Sequence, residues 1–303
     1  MELNQLIGKN AIISKSLKCQ TITPLLMHGG DKENRPKFPP PASAQLRIPS
    51  IKGLVRYWFR ALQVTDGTKM YEQEVKLFGG SSDKAFKSKL LLSLDKSLIS
   101  KKQEVMLPHR ERKFTTPGIP AHTDFTLDAQ TYKKDERLFD TLLTYVQLSF
   151  YLGGFGQRSR RGFGSIDLVE ESFSTVEAWL EHVQSLIEKV SDLPIVRQQS
   201  LLTVQKQTAL AKHPLLQAVY VGKAFPTASD ALLVINQASH DVAKQFSGAL
   251  GSAKPRHASS LLGSVKKIGD QYYPVVTEVL QQNDDKRFEK AKRVFLEKVG
   301  VHF

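Results

Sequence analysis

The stretch KDERLFDTLLTYVQLSFYLGGFGQRSRRGFGSIDLVE, residues Lys134–Glu170, passes from a helical pattern through a glycine-rich turn into a strand-like segment. Leu138, Leu142, Tyr145, Val146, Leu148 and Leu152 recur at helical spacing, which predicts a buried helix with Gly153 as its C-cap. Between Gly153 and Gly164 lie five glycines, three arginines and two phenylalanines. Glycine tolerates positive φ and close approach of a ligand, so the backbone at Gly154 and Gly156 is suited to phosphate oxygens. Arg158, Arg160 and Arg161 supply charge and bidentate donors, and Phe155 and Phe163 offer rings that stack on unpaired bases.

The order of elements excludes two nucleotide folds. A dinucleotide-binding G-x-G must follow a strand and open a helix, whereas Gly154-Phe155-Gly156 follows a helix and leads toward a strand. A Walker loop needs a Gly-Lys-Ser/Thr ending that is missing here. Arg161-Gly162-Phe163-Gly164 matches the first half of the octamer of RNA-recognition sheets, but Ser165 and Leu168 replace later aromatic positions. Backbone reading by the loop is therefore expected over an ordinary base-stacking sheet.

Upstream, NAIISKSLKCQTITPLL reads as a strand that Pro24 ends, followed at 28–49 by a loop with two glycines and five prolines. Ser50 is the expected cap of the helix IKGLVRYWFRALQ, whose apolar stripe is Ile51, Leu54, Val55, Trp58 and Leu62. Lys52, Arg56 and Arg60 follow at i+4 steps on another face, a cationic row suited to a polyanion. KLLLSLDKSLIS reads as a strand, and PHRERKFTTPGIPAHTD as a loop.

Beyond Glu171 the character changes. Ser174 and Glu177 form a capping-box pattern, QAVYVGKAF is strand-like, and a long helix is expected over 228–250. After the basic loop GSAKPRHAS, SLLGSVKKI and QYYPVVTEVL read as strands joined at Gly269-Asp270, and Asp284-Asp285 opens a last helix that Gly300 ends. Strand, helix, hairpin and helix in this order predict an α+β fold of two ferredoxin-like βαββαβ domains, at 1–172 and 173–303.

The chain of 303 residues carries 43 basic and 30 acidic side chains, a net charge of +13, with the excess concentrated in residues 1–172. Such a balance attracts polyanions. No apolar run reaches the roughly 18 residues of a membrane span, and the start MELNQLIGKNAIIS has no secretory pattern, so a cytoplasmic protein is expected. Cys19 is the only cysteine and no histidines sit at i, i+4 metal spacing, so neither a disulfide, a metal nor another cofactor is expected.

The Ser50 segment SIKGLVRYWFRAL, preceded by TPLLMHGGD and LRIP, together with GGFGQRSRRGFGS and the later KPRHASSLLGSVKKIGDQYYPVV, resembles the RAMP superfamily of CRISPR proteins. Within it, the likeness is to a two-domain subunit of the Cmr, or type III-B, effector. That resemblance implies paired ferredoxin-like folds and a non-catalytic place in a complex that uses a guide RNA to recognise single-stranded target RNA, beside other RAMP subunits. It also implies that Lys52, Arg56, Arg60 and the loop arginines face RNA, with Arg256 and His257 as counterparts in the second domain. Some RAMP proteins are ribonucleases, which makes Asp31, His28 and His122 the candidates for a rival, catalytic reading. A metal-free cleavage site would need one of them as a base near a 2′-hydroxyl.

Overall fold

The structure is a computed structural model that describes residues 11–29, 42–65, 67–81, 84–112, 114–205, 213–253, 256–280 and 286–301. In the first half, β1 (Ile12–Thr21), α1 (Ile48–Ala61), α2 (Gly67–Phe78), β2 (Leu91–Leu94), β3 (Asp124–Tyr132), α3 (Phe139–Tyr151) and β4 (Ile166–Leu168) follow in order. The strands form an antiparallel sheet in the order β4-β1-β3-β2, the arrangement of a ferredoxin-like βαββαβ unit with α2 inserted. Strands β1 and β3 pair from Ile12 opposite Tyr132 to Gln20 opposite Asp124. Leu17 and Cys19 of β1, with Phe125, Leu127 and Ala129 of β3, face the helices. Strand β3 escapes hydrophobic alternation because the small Ala129 and polar Thr131 take inward positions.

Helix α1 begins at Ile48, ahead of the expected Ser50 cap, because Pro49 fits the first turn, where no amide partner is needed. Of its expected stripe, Ile51, Val55, Trp58 and Leu62 are buried and Leu54 is half-buried, and Phe59, outside that stripe, is buried as well. Helix α3 is buried nearly all round, since it is covered by the sheet on one side and by the second half of the chain on the other. It ends at Tyr151 with Leu152 in a helical conformation, so Gly153 is not a left-handed cap. A side chain at Gly153 would instead meet the Trp58 indole at 3.3 Å.

The second half holds α4 (Val176–Glu188), β5 (Ile195–Gln198), β6 (Leu201–Val204), β7 (Leu215–Val221), α5 (Ala228–Gln245), β8 (Leu261–Ile268), β9 (Gln271–Leu280) and α6 (Phe288–Lys298). Helix α4 is capped by Thr175, whose hydroxyl accepts from the Ala178 amide, one residue past the expected Ser174. The β8–β9 hairpin turns at Gly269-Asp270 as expected. The expected start of the last helix at Asp284-Asp285 lies outside the described residues. The sheet order is β5-β6-β7-β9-β8, antiparallel throughout. The β7-β9-β8 order is that of the expected ferredoxin-like unit, and it differs in one place: the position of a fourth strand beside β7 is taken by β6, which precedes β7 in the chain. The last strand of the first sheet ends at Leu168 and the first strand of the second begins at Ile195.

The cationic row of α1 turns toward α2. Arg56 Nε lies 2.6 Å from Glu74 Oε1, and Arg60 grips the same carboxylate with Nε at 2.6 Å and Nη2 at 2.7 Å. Arg56 also donates to the Gly79 carbonyl, and Lys52 Nζ to Ser88 Oγ and the Leu90 carbonyl. Glu74 is buried. Burial alone would raise its pKa, but the hydrogen bonds and charges of Arg60 and Arg56 outweigh it and hold the carboxyl below its usual range. A depressed carboxyl stabilises the fold above its unfolded pKa, near 4.5, and that contribution is lost as pH falls through the folded value. Glu74→Gln should therefore cost about 2–3 kcal/mol at neutral pH and reduce the acid sensitivity of stability, as read by urea unfolding at neutral and acidic pH.

Candidate nucleic-acid interface

The glycine-rich loop connects α3 to β4 and lies along the seam between the two sheets. Its middle pairs with β8: the Gly162 amide donates to the Gly263 carbonyl at 3.0 Å, and the Gly263 amide to the Arg160 carbonyl at 3.1 Å. Both positions exclude side chains. A Cβ on Gly162, where φ is +86°, would come within 2.9 Å of Leu232 Cδ1, and one on Gly263 within 2.9 Å of Ile235 Cγ2. Below this contact, Lys266 Nζ is fully buried and donates to the Phe150 and Ile166 carbonyls and to Asp167, fastening β8 to the first half.

Several loop amides serve the fold. Those of Phe155, Gln157 and Gly164 donate to the carbonyls of Gly164, Leu26 and Pro24. A Cβ on Gly154 would strike the Phe163 carbonyl at 2.6 Å, and one on Gly156 the Leu26 carbonyl at 2.6 Å. Phe155 and Phe163 are 2% and 0% exposed, so the expectation that they stack on bases is corrected: both rings anchor the loop in the core. Much of the glycine pattern thus answers to chain packing, and the three arginines are left half-buried beside the exposed Gly156 and Gln157.

Those arginines converge with the second half of the chain. Arg158, Arg160 and Arg161, with Leu250, Gly251, His257 and Ser259, line an open cleft of about 900 Å³. Arg158, which adopts φ +57°, donates to Asn236 Oδ1 at 3.0 Å, while Asn236 Nδ2 returns a bond to the Arg161 carbonyl at 3.0 Å. Arg160 donates to the Ser259 carbonyl and lies beside the Tyr57 hydroxyl of α1. Burial, then the charges of Arg161 and Arg110, push the Arg158 pKa down to about 10; burial lowers that of Arg161 as well. Both stay cationic at neutral pH. Arg158 Nε is buried without a partner. Partly desolvated like charges of this kind favour an anion that supplies the missing acceptors.

The structure therefore brings together Arg158, Arg160, Arg161 and His257. The Arg256 backbone pairs with Ala253 beside them, while its side chain lies outside the described residues. Lys52, Arg56 and Arg60 are held apart from the cleft, turned to Glu74, Ser88 and Leu90. Of the candidates for catalysis, His28 is engaged with the Pro117 carbonyl, His122 lines a separate groove with Glu104 and Thr227, and Asp31 lies outside the described residues. Asn236 and Tyr57 carry no motif; a polar residue at a buried helical position is the one sign Asn236 gives.

Residues 18–167 match the family model of the RAMP superfamily. That match runs from within β1 to within β4. The CRISPR system Cmr subunit Cmr1-2 of Pyrococcus furiosus is 28% identical over 178 residues, which cover 48% of this chain and 90% of that protein. The crystal structure of apo Cmr1 from Pyrococcus furiosus matches with a TM-score of 0.62 at 17% identity, over 96% of this chain and 98% of that one. A chain of the type III-B Cmr-beta complex bound to cognate target RNA matches at 0.57 and 14% identity, over 95% and 98%. At these identities the solved structures speak for the fold alone, over nearly the whole chain. Among the described residues, no helix is long and apolar enough to cross a membrane.

The seam makes a paired prediction. Gly162→Ala should cost about 1–3 kcal/mol through its left-handed φ and its contact with Leu232. Gly53→Ala, in α1 with open space around its Cα, should stabilise by about 0.5–1 kcal/mol. Chemical unfolding of the two variants checks both signs.

Proposed function

We propose that the chain is a non-catalytic, RNA-binding subunit of a type III-B CRISPR effector, and that the cleft at the domain seam holds the RNA backbone. The observation that carries this reading is the convergence of Arg158, Arg160, Arg161 and His257, from two domains, on one open cleft. Arg158 and Arg160 are fixed by the Asn236 amide and the Ser259 carbonyl, which leaves their charge unneutralised. The relationship to Cmr1 supports membership of the complex, and the RNA-bound Cmr-beta assembly supports single-stranded target RNA as a ligand beside guide RNA and other RAMP subunits.

Such a cleft reads phosphates and is largely indifferent to base identity. The cytoplasm is the compartment this role requires. Arg158, Arg160 and Arg161 act as the principal contacts, with Arg256 and His257 across the cleft. Lys52, Arg56 and Arg60 support the fold that presents them.

Replacing the three loop arginines together with alanine should weaken binding of a single-stranded RNA about 10- to 100-fold and reduce the slope of log K against log salt by about 2. Lys52→Ala should leave that slope unchanged. Fluorescence anisotropy across a salt series, with melting curves to confirm folding, tests the assignment. An unchanged slope in the triple variant would refute it, and fragments released from labelled RNA by the wild-type protein would overturn the non-catalytic part.

A further inference from the structure

Next to the arginine cluster, His109 and His240 meet ring to ring, their centroids 4.8 Å apart and their planes inclined by 35°. His109 comes from the segment after β2 that reads as a basic loop. His240 lies on α5 one turn beyond Asn236, the residue that holds Arg158 and the Arg161 carbonyl. The pair thus lies within electrostatic reach of Arg158 and Arg161, two of the arginines that line the cleft, on the helix whose Asn236 fixes them. His109 Nδ1 is buried without a hydrogen-bond partner.

The groups that face His109 are His240, Arg158, Arg110 and Arg161, all cationic or able to become so. On α5, the neighbouring Asp241 is engaged elsewhere, with Lys298 Nζ at 2.9 Å and Gln237 Nε2 at 2.8 Å. Three segments of chain therefore bring donors to one place, and Asp241, the carboxylate that feels the charge of His240, is shared with Lys298 and Gln237. The missing element is an anion with several acceptor oxygens, and a phosphodiester supplies it.

We propose that His109 and His240, with Arg110, form a proton-linked phosphate subsite at the edge of the cleft, in which an RNA phosphodiester binds together with a proton taken up by the imidazole pair. This inference rests on the reading of the cleft as an RNA site and adds to it three residues and a dependence on pH.

The linkage has a definite sign. Burial, then repulsion from His240 and the arginines, holds the His109 pKa below its ordinary value of 6.5. Without RNA, the folded chain binds fewer protons here than the unfolded chain, so this site lowers stability as pH falls through 6.5. A bound phosphate reverses the electrostatic part and raises the imidazole pKa. Between the free and bound values a proton enters with the RNA, so affinity grows as pH falls.

The test uses the full chain and a fluorescent single-stranded oligouridylate at constant ionic strength. From about pH 8 to about pH 6, wild-type affinity should rise about fivefold or more, and a His109→Gln, His240→Gln double variant should lose that gain. Gly53→Ala should keep it. In a histidine-labelled NMR titration, RNA should move the His109 midpoint to higher pH. Wild-type binding that is flat with pH, a double variant that keeps the gain, or an unmoved His109 midpoint each overturns the subsite while leaving the cleft as an RNA site. Absence of RNA binding at every pH overturns both readings.

Discussion

Two peptide hydrogen bonds that join Gly263 of β8 to Arg160 and Gly162 of the glycine loop determine where everything else in the candidate site lies. They can form only because neither Gly162 nor Gly263 has a side chain to hold the strands apart, Leu232 and Ile235 of α5 filling the space on that side. Once the loop is joined to β8, Lys266 secures the layer beneath, and Asn236 secures the layer above. The three arginines then have one direction left to face. The cleft is a property of the junction and belongs to neither domain alone.

The chain sorts its positive charges into two kinds. On α1, Arg56 and Arg60 share the one buried carboxylate of Glu74, which balances part of their charge and strengthens the contact between α1 and α2. At the seam they meet carbonyls and the Asn236 amide, which orient a guanidinium without cancelling its charge. Orientation without neutralisation is what a polyanion site requires, because a resident carboxylate would have to be displaced first. The net charge of the chain shows none of this; the choice of partner does.

Regular elements with one-sided apolar patterns were legible from the sequence, which is why the α1 stripe, α3 and the β8–β9 hairpin lie where their periodicity puts them. Strand β3 was not, since Ala129 and Thr131 interrupt its inward face, and α2 was not, since Glu74 stands at a buried position of its stripe. The same residue explains the misreading of the α1 row: its counterion comes from another helix. In the loop, composition drew attention to the arginines that line the cleft but assigned the wrong work to the rings. Phe155 and Phe163 look like stacking platforms in a list of residues, and only the packing around Phe150 and the seam shows them to be anchors.

The substitution of β6 for a trailing fourth strand changes how the two sheets come into being. In the first, β1 waits for β3, Ile12 for Tyr132, and then for β4, Cys19 for Leu168, so most of its pairing closes long loops. In the second, β5 with β6, β6 with β7, and β8 with β9 are close neighbours along the chain, and the β7–β9 pairing is the single long closure. Local pairing assembles faster than distant pairing. The second sheet is therefore the quicker to nucleate, and its finished β8 edge is a template against which the glycine loop of the slower domain settles.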